Sequence, residues 1–289
     1  MKVSEALKGE KRTISFEVFP PKTDSSLETV RSATEEIASL SPSYMSVTYG
    51  AGGGTSKYTT SIAKNIKDKY SVPTLAHLTC VSSTRETVRE RILDMKNAGI
   101  KNVMALRGDI PVGMENAPRD YKYALELIRE LRESGYDFCI GGACYPEVHP
   151  ESLSADHDMM HLKEKCDGGL DFLTTQMFFD NELYYRFLDK ARQSGISLPI
   201  IPGVMPITRA NQVERAISLS GSYMPRRFLS LVDSFGDDPK AMTQAGIAYA
   251  TDQIIDLFAN GVTNVHVYSM NKPEVARAIL YNLSDILHK

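Results

Sequence analysis

The sequence predicts an α/β fold, a closed (β/α)8 barrel (TIM barrel), and three observations carry that prediction. Five segments share one form, a helix end, then glycine, an apolar residue and a strand: NAGIKNV, ESGYDF, DGGLDF, QSGISLP and ANGVTNV. Glycine just past a helix takes the left-handed conformation that ends it at little cost. Gly99, Gly135, Gly169 and Gly195 recur at roughly 25–35 residues, the size of one strand-helix unit. Finally, six consecutive strands end in a polar or ionisable side chain, as expected where loops at the carboxyl ends of barrel strands carry function.

The strands follow in order as ISFEVF near 14–19, YMSVTY near 44–49, PTLAHLT near 73–79 and NVMALR near 102–107. YDFCIGG near 136–142, DFLTTQ near 171–176, LPIIPG near 198–203 and TNVHVYS near 263–269 complete the set. Helical periodicity lies between them, as in Leu27, Val30, Ile37 and Leu40, or Ala124, Leu127, Ile128 and Leu131. The stretch after Gly203 is the longest and should hold two or three extra helices before the last strand. Eight alternating units without a long linker fit a closed barrel better than an open doubly wound sheet. The expectation is one catalytic domain over 1–289.

The 289 residues carry a formal charge of -3, with 42% hydrophobic and 24% charged residues. That balance argues against nucleic acid and anionic membrane surfaces as partners. Cys80, Cys139, Cys144 and Cys166 form no CxxC pair and read as buried free thiols, so no metal is expected. MKVSEALKGEKR lacks an apolar leader core and no long uncharged apolar run follows, which points to the cytoplasm.

The polar strand ends are Glu17, Thr48, His77, Asp109, Tyr145 and Gln176. In ISFEVF, Ile14, Phe16 and Val18 share one face, which leaves Ser15, Glu17 and Phe19 on the other. If the apolar face meets the helices, Glu17 points into the lumen. Lost hydration there favours the protonated carboxyl and suits a general acid, whereas a structural ion pair is the competing reading. His77 alone reads more readily as a hydrogen-bonded core histidine than as a catalyst.

In RGD at 107–109, Gly108 allows close backbone approach, and Arg107 either binds a phosphate or pairs with Asp109. AGGGTS at 51–56 is either an anion-binding loop or merely flexible. YPEVHPES at 145–152 pins a turn between Tyr145 and His149, and Asp158, His161 and Lys165 recur at helical spacing beyond it. That face binds a polar cofactor segment or is simply solvated. TQMFFD places Gln176 beside Phe178 and Phe179, either a seat for a flat heterocycle or core.

FEVFPPK, SVTYGAGG, HLTC, ALRGD, YPEVHPE, TQMFFD and IPGVMPI occur in that order along the chain. Together they resemble the FAD-dependent methylenetetrahydrofolate reductases, of the short bacterial type that has only the catalytic domain. The resemblance implies a barrel with non-covalent FAD and ping-pong hydride transfer from NADH or NADPH to methylenetetrahydrofolate. The product implied is 5-methyltetrahydrofolate, for methionine synthesis or anaerobic one-carbon flux. By the same resemblance Glu17 is the general acid, and Asp109 lies near flavin and pterin. Gln176, Gln212 and Lys272 fall on the substrate side. Thr48, Tyr49, His77, Arg107, Gly108, Asp109, Ala143, Tyr145, His149, Asp158, His161 and Lys165 fall on the FAD side.

Three positions depart from the family pattern: Lys272 where arginine is common, Ala216 near a substrate-facing aromatic, and Glu164 in place of a basic residue. The expected partner is a small folate, with a homo-oligomer; the alternative electron route is an iron–sulfur or flavoprotein partner subunit. The rival classes are a flavin-free barrel lyase or hydrolase and a binding subunit without chemistry.

Overall fold

A computed structural model describes the chain except residues 22, 50–55, 111, 112, 114–118 and 289. The glycine-rich loop at 51–56 therefore lies almost wholly outside the described residues. The first half runs α1 (Val3–Ala6), β1 (Thr13–Val18), α2 (Leu27–Ser39), β2 (Met45–Val47), α3 (Ser56–Tyr70), β3 (Thr74–Thr79), α4 (Arg85–Asn97) and β4 (Asn102–Leu106). Then follow α5 (Ala124–Glu133), β5 (Cys139–Cys144), α6 (Ala155–Asp167), β6 (Phe172–Thr175), α7 (Asn181–Gln193), β7 (Ile200–Ile201) and β8 (Gly203–Val204). The last part holds α8 (Asn211–Ser220), α9 (Arg226–Phe235), α10 (Pro239–Ala259), β9 (Asn264–Tyr268), α11 (Pro273–Asn282) and α12 (Ser284–Leu287).

All paired strands are parallel, in the order β7-β6-β5-β4-β3-β2-β1-β9-β8. The expected seventh strand is split at Pro202, whose ring removes a ladder donor. Its first half pairs with β6 and its second with β9, so the two halves together close the ring. Gly99, Gly135, Gly169, Gly195 and Gly261, the five punctuating glycines, all have positive φ.

Alternation sorts the side chains into two cores. Ile14, Phe16, Val18, Val265 and Val267 face outward into the large cluster shared with the helices. Leu75, Met104, Cys139, Phe172 and Ile201 fill the lumen, and Val3 and Leu7 close it from below. α1 is thus a plug, fixed by the Val3 N–H donating to the buried Asn102 Oδ1 at 2.7 Å. β5 starts later than its composition suggests. Tyr136 and Phe138 are taken up by a turn after α5, and Gly141 lies inside the strand because Phe172 covers it. A Cβ at Gly141 would lie 2.6 Å from the Phe172 ring.

α8, α9 and α10 form the insertion between the seventh and last strands, packed through Met177, Phe179, Ile207, Phe228 and Met242. Phe178 and Phe179 are both buried, which settles them as core. The cysteines are free thiols, three of them buried and Cys166 partly so, and burial pushes Cys80 up to about 12. Among the described residues, no helix is long and apolar enough to cross a membrane.

Candidate active site

A cavity of about 400 Å³ opens among the carboxyl ends of the strands. Its wall takes Glu17 from β1, Thr48 and Tyr49 after β2, His77 from β3, and Arg107, Gly108 and Asp109 after β4. Ala143, Tyr145 and His149 come from β5 and its loop, Lys165 from α6 and Gln176 from the end of β6. The two carboxylates singled out in the sequence, Glu17 and Asp109, therefore meet at one cavity.

At the base, Glu17 is held by β1 between β2, which brings Ser46, and β9, which brings His266. Register pairs Glu17 with Ser46 of β2 and with Tyr268 of β9. The Ser46 hydroxyl donates to Glu17 Oε2 at 3.3 Å and lies 3.1 Å from His266 Nε2. His77 Nε2 and His266 Nε2 stand 3.6 and 3.9 Å from the same carboxylate oxygen. On its far side His266 Nδ1 lies 2.7 Å from Ser15 Oγ, and Tyr44 stacks on the ring.

This setting corrects the expectation of a raised Glu17 pKa. Burial does push the carboxyl up, but the His266 and His77 rings beside Oε2 and the Ser46 hydrogen bond outweigh it. The net direction is down, so the ligand-free carboxyl favours its anion. Burial lowers His77 despite Glu17 nearby, which favours neutral imidazole.

The walls are prepared for a larger ligand. Gly108 has φ +86, and a Cβ there would meet Thr79 Cβ at 3.0 Å, so the backbone is bare at this point. Lys165 Nζ reaches in and donates to the Ala143 carbonyl at 2.8 Å; burial lowers its pKa. Such a cation gains from an incoming anion. Arg107 pairs with Glu151 through two 2.6 Å hydrogen bonds, rather than with Asp109. His149 Nδ1 accepts from the Glu151 N–H at 3.1 Å, leaving Nε2 as the donor of the neutral ring. Its own N–H donates to Asp158 Oδ2. Gln176 Oε1 accepts from the Met177 N–H at 3.1 Å, and its amide NH2 remains available to a ligand.

Four sequence candidates lie off the wall. Asp158 supports His149 from α6, and His161 turns toward His157 and Glu164. Gln212 and Lys272 gather at Thr208: Gln212 Oε1 accepts the Thr208 N–H at 2.9 Å and Lys272 Nζ donates to the Thr208 hydroxyl. Ala216 is buried in the core of the insertion. Conversely, His266, Tyr268, Ser82, Thr174 and Ala124 line the cavity and were not singled out from sequence. For His266 and Tyr268 the signal was present. In NVHVY the valines alternate outward, which sends the ring-bearing residues inward.

Outside the barrel a groove of about 620 Å³ runs between α4 and α5. Its Arg85 and Arg89 both pair with Glu130, which also accepts from Tyr121, so these four side chains engage one another.

The fold and cavity define a (β/α)8 barrel with a polar ligand site at the carboxyl ends of its strands, the usual position of barrel active sites. Residues 2–284 match the family model described as methylenetetrahydrofolate reductase, and the chain belongs to that family. It is 38% identical over 270 residues to the 5,10-methylenetetrahydrofolate reductase of Pectobacterium carotovorum, covering 93% of this chain and 89% of that one. It is 37% identical to the Escherichia coli K12 enzyme of the same name, covering 93% and 90%. Against "Methylenetetrahydrofolate reductase (NADH) 1" of Arabidopsis thaliana identity is 34%, over 94% of this chain and 48% of that one. A Clostridium thermocellum protein solved with two copies of 5-methyl-5,6,7,8-tetrahydrofolic acid has the same fold. Its TM-score is 0.67 at 15% identity, covering 100% of this chain and 99% of that one.

Proposed function

We propose that this chain reduces 5,10-methylenetetrahydrofolate to 5-methyltetrahydrofolate, with FAD bound non-covalently in the cavity and NADH or NADPH as the electron donor. Membership of the family supports the reaction, and the donor follows the name of the plant relative. The observation that carries the reading is the convergence of Glu17, Asp109, Gln176 and Lys165 on one cavity.

The residues fit the cofactor. The bare backbone at Gly108, the Lys165 ammonium and the His149 donor suit a large, flat, phosphate-bearing group. Thr48, Tyr49, His77, Ala143 and Tyr145 would form the rest of its seat, with Asp158 and His161 on the supporting helix. The bidentate Glu151 contact holds Arg107 until a phosphate competes for the guanidinium. When bound, the flavin supplies the hydride.

The protein's own work is proton and charge management. Glu17 delivers a proton to the folate nitrogen that leaves the bridging carbon, opening the five-membered ring to a cationic iminium. Flat ligands displace water from the cavity, which moves the carboxyl toward its protonated form. The Ser46 hydroxyl, 3.3 Å from Oε2, can turn from donating to accepting once that oxygen carries the proton. Asp109, at the exposed rim, places a fixed negative charge against the iminium. The Gln176 amide orients the pterin, while Gln212 from the insertion and Lys272 from the start of α11 engage the distal part of the folate. The site reads as cytoplasmic one-carbon chemistry, in a chain that self-associates.

The test is a visible absorption spectrum after FAD addition, then anaerobic titration. The protein should turn yellow, bleach with NADH or NADPH, and regain colour with methylenetetrahydrofolate. A colourless protein overturns the reading in favour of a flavin-free barrel. Failure of both nucleotides to bleach a flavin that methyltetrahydrofolate does reduce transfers electron delivery to a partner subunit.

A further inference from the structure

On the outer side of α6, two histidines one helical turn apart face each other. His157 Nε2 and His161 Nε2 lie 3.2 Å apart, with the rings perpendicular. Each ring is held at its other nitrogen. His161 Nδ1 lies 2.8 Å from Glu164 Oε2, and His157 Nδ1 lies 3.3 Å from Ser152 Oγ. Tyr123 stacks on His161 from α5. Both imidazoles are therefore oriented from behind, and their Nε2 atoms converge.

We propose that His157 and His161 chelate a divalent transition-metal ion, Zn²⁺ in its simplest form, through these two Nε2 atoms. Two nitrogens 3.2 Å apart subtend about 100° at an ion held about 2.0–2.1 Å from each, near the tetrahedral angle. Glu164 is the carboxylate that a ligating histidine commonly holds with its second N–H; it fixes the tautomer with the lone pair on Nε2. In the metal-free chain His161 Nε2 accepts, so His157 Nε2 carries the hydrogen between them. On chelation that hydrogen moves to His157 Nδ1, where Ser152 Oγ can accept it. Each step conserves protons within the pair.

The surroundings admit an ion. The His161 side chain is 43% exposed, so the site is open to solvent. Neighbouring ammonium groups are engaged elsewhere, Lys163 with Asp167 and Lys190 with Asp156. Among the described residues, no cluster of three or more His, Cys, Asp or Glu is poised around one ion, so water completes the coordination. The site is a two-histidine clip across the first turns of α6, the helix that also delivers Lys165 to the cavity. It is separable from the flavin reading, although His161 was expected on the FAD side, because none of His157, His161 and Glu164 lines the cavity and dialysis with and without FAD tells the two apart.

Equilibrium dialysis of the untagged full chain against ZnCl2, with and without FAD, tests the proposal. One Zn²⁺ per chain is expected, with at least a tenfold loss of affinity in His157→Ala and in His161→Ala. Glu164→Gln should weaken binding by about 10–100-fold without changing stoichiometry. Cys166→Ser, one residue past Lys165, should bind as the parent does. Unfolding midpoints in chelator establish that each variant is folded, and the two histidine variants are independent tests. Absent zinc binding in the parent chain, or zinc retained in either histidine variant, overturns the site; so does loss in Cys166→Ser alone.

Discussion

Glu17 owes its place to strand alternation and its ionisation to the residues that neighbouring strands set around it. Its parity with Ser15, opposite Ile14, Phe16 and Val18, places it in the lumen, and the structure puts it there. Its ionisation was not legible, because His77 and His266 come from strands far away in sequence. Two histidines and a serine on one oxygen turn the direction that burial alone would set. Lys165 is the complementary case, a cation whose pKa burial lowers and whose Nζ has one carbonyl partner. Lys165→Met should weaken FAD binding by about 10–100-fold, the value of about 1.5–3 kcal/mol for a charged hydrogen bond. The apo stability should barely change. Flavin fluorescence titration measures the first and urea unfolding the second, and unaltered FAD affinity would remove Lys165 from the cofactor seat.

At the scale of elements, periodicity and glycine punctuation were enough to place all eight strand positions. Two errors of extent have physical causes. Phe172 needs Gly141 inside β5, so a glycine pair that reads as a strand end is its interior. The plug α1 has only four residues, too few for periodicity to show, and its purpose appears only once the lumen floor exists. Val3 is fully buried there, so Val3→Ala should cost about 2 kcal/mol in urea unfolding. A cost near zero would mean the floor stays closed without it. The loop after β5 stores strain, since Val148, a β-branched residue, has φ 81. Relief of about 1–3 kcal/mol exceeds the entropic cost of glycine, about 0.5–1 kcal/mol. Val148→Gly should therefore raise the urea midpoint, and a lowered midpoint would show the conformation to be unstrained.

For the whole molecule, the buried histidines and Glu17 make stability depend on pH with one sign. Burial holds His77 and His149 below the ordinary 6.5, and Glu17 lies below 4.5. In both ranges the unfolded chain binds more protons than the folded one, so stability is lost as pH falls. The histidine part begins near 6.5 and the Glu17 part below 4.5. His77→Gln should flatten the upper part of that limb in urea titrations, and an unchanged slope would assign it to other groups. The barrel and most of the cavity wall were legible because strand ends carry function. The placement of Gln212 and Ala216 was not, because they lie on an inserted helix whose packing no strand register fixes, and Lys272 is turned to Thr208 from the start of α11. The decisive measurement is anaerobic rapid mixing of the Glu17→Gln holoenzyme, one half-reaction at a time. Flavin reduction by the nucleotide should stay near the parent rate, while reoxidation by methylenetetrahydrofolate should slow by about 10²–10⁴-fold. Reoxidation at the parent rate would contradict the assignment of Glu17 as the acid that opens the folate ring.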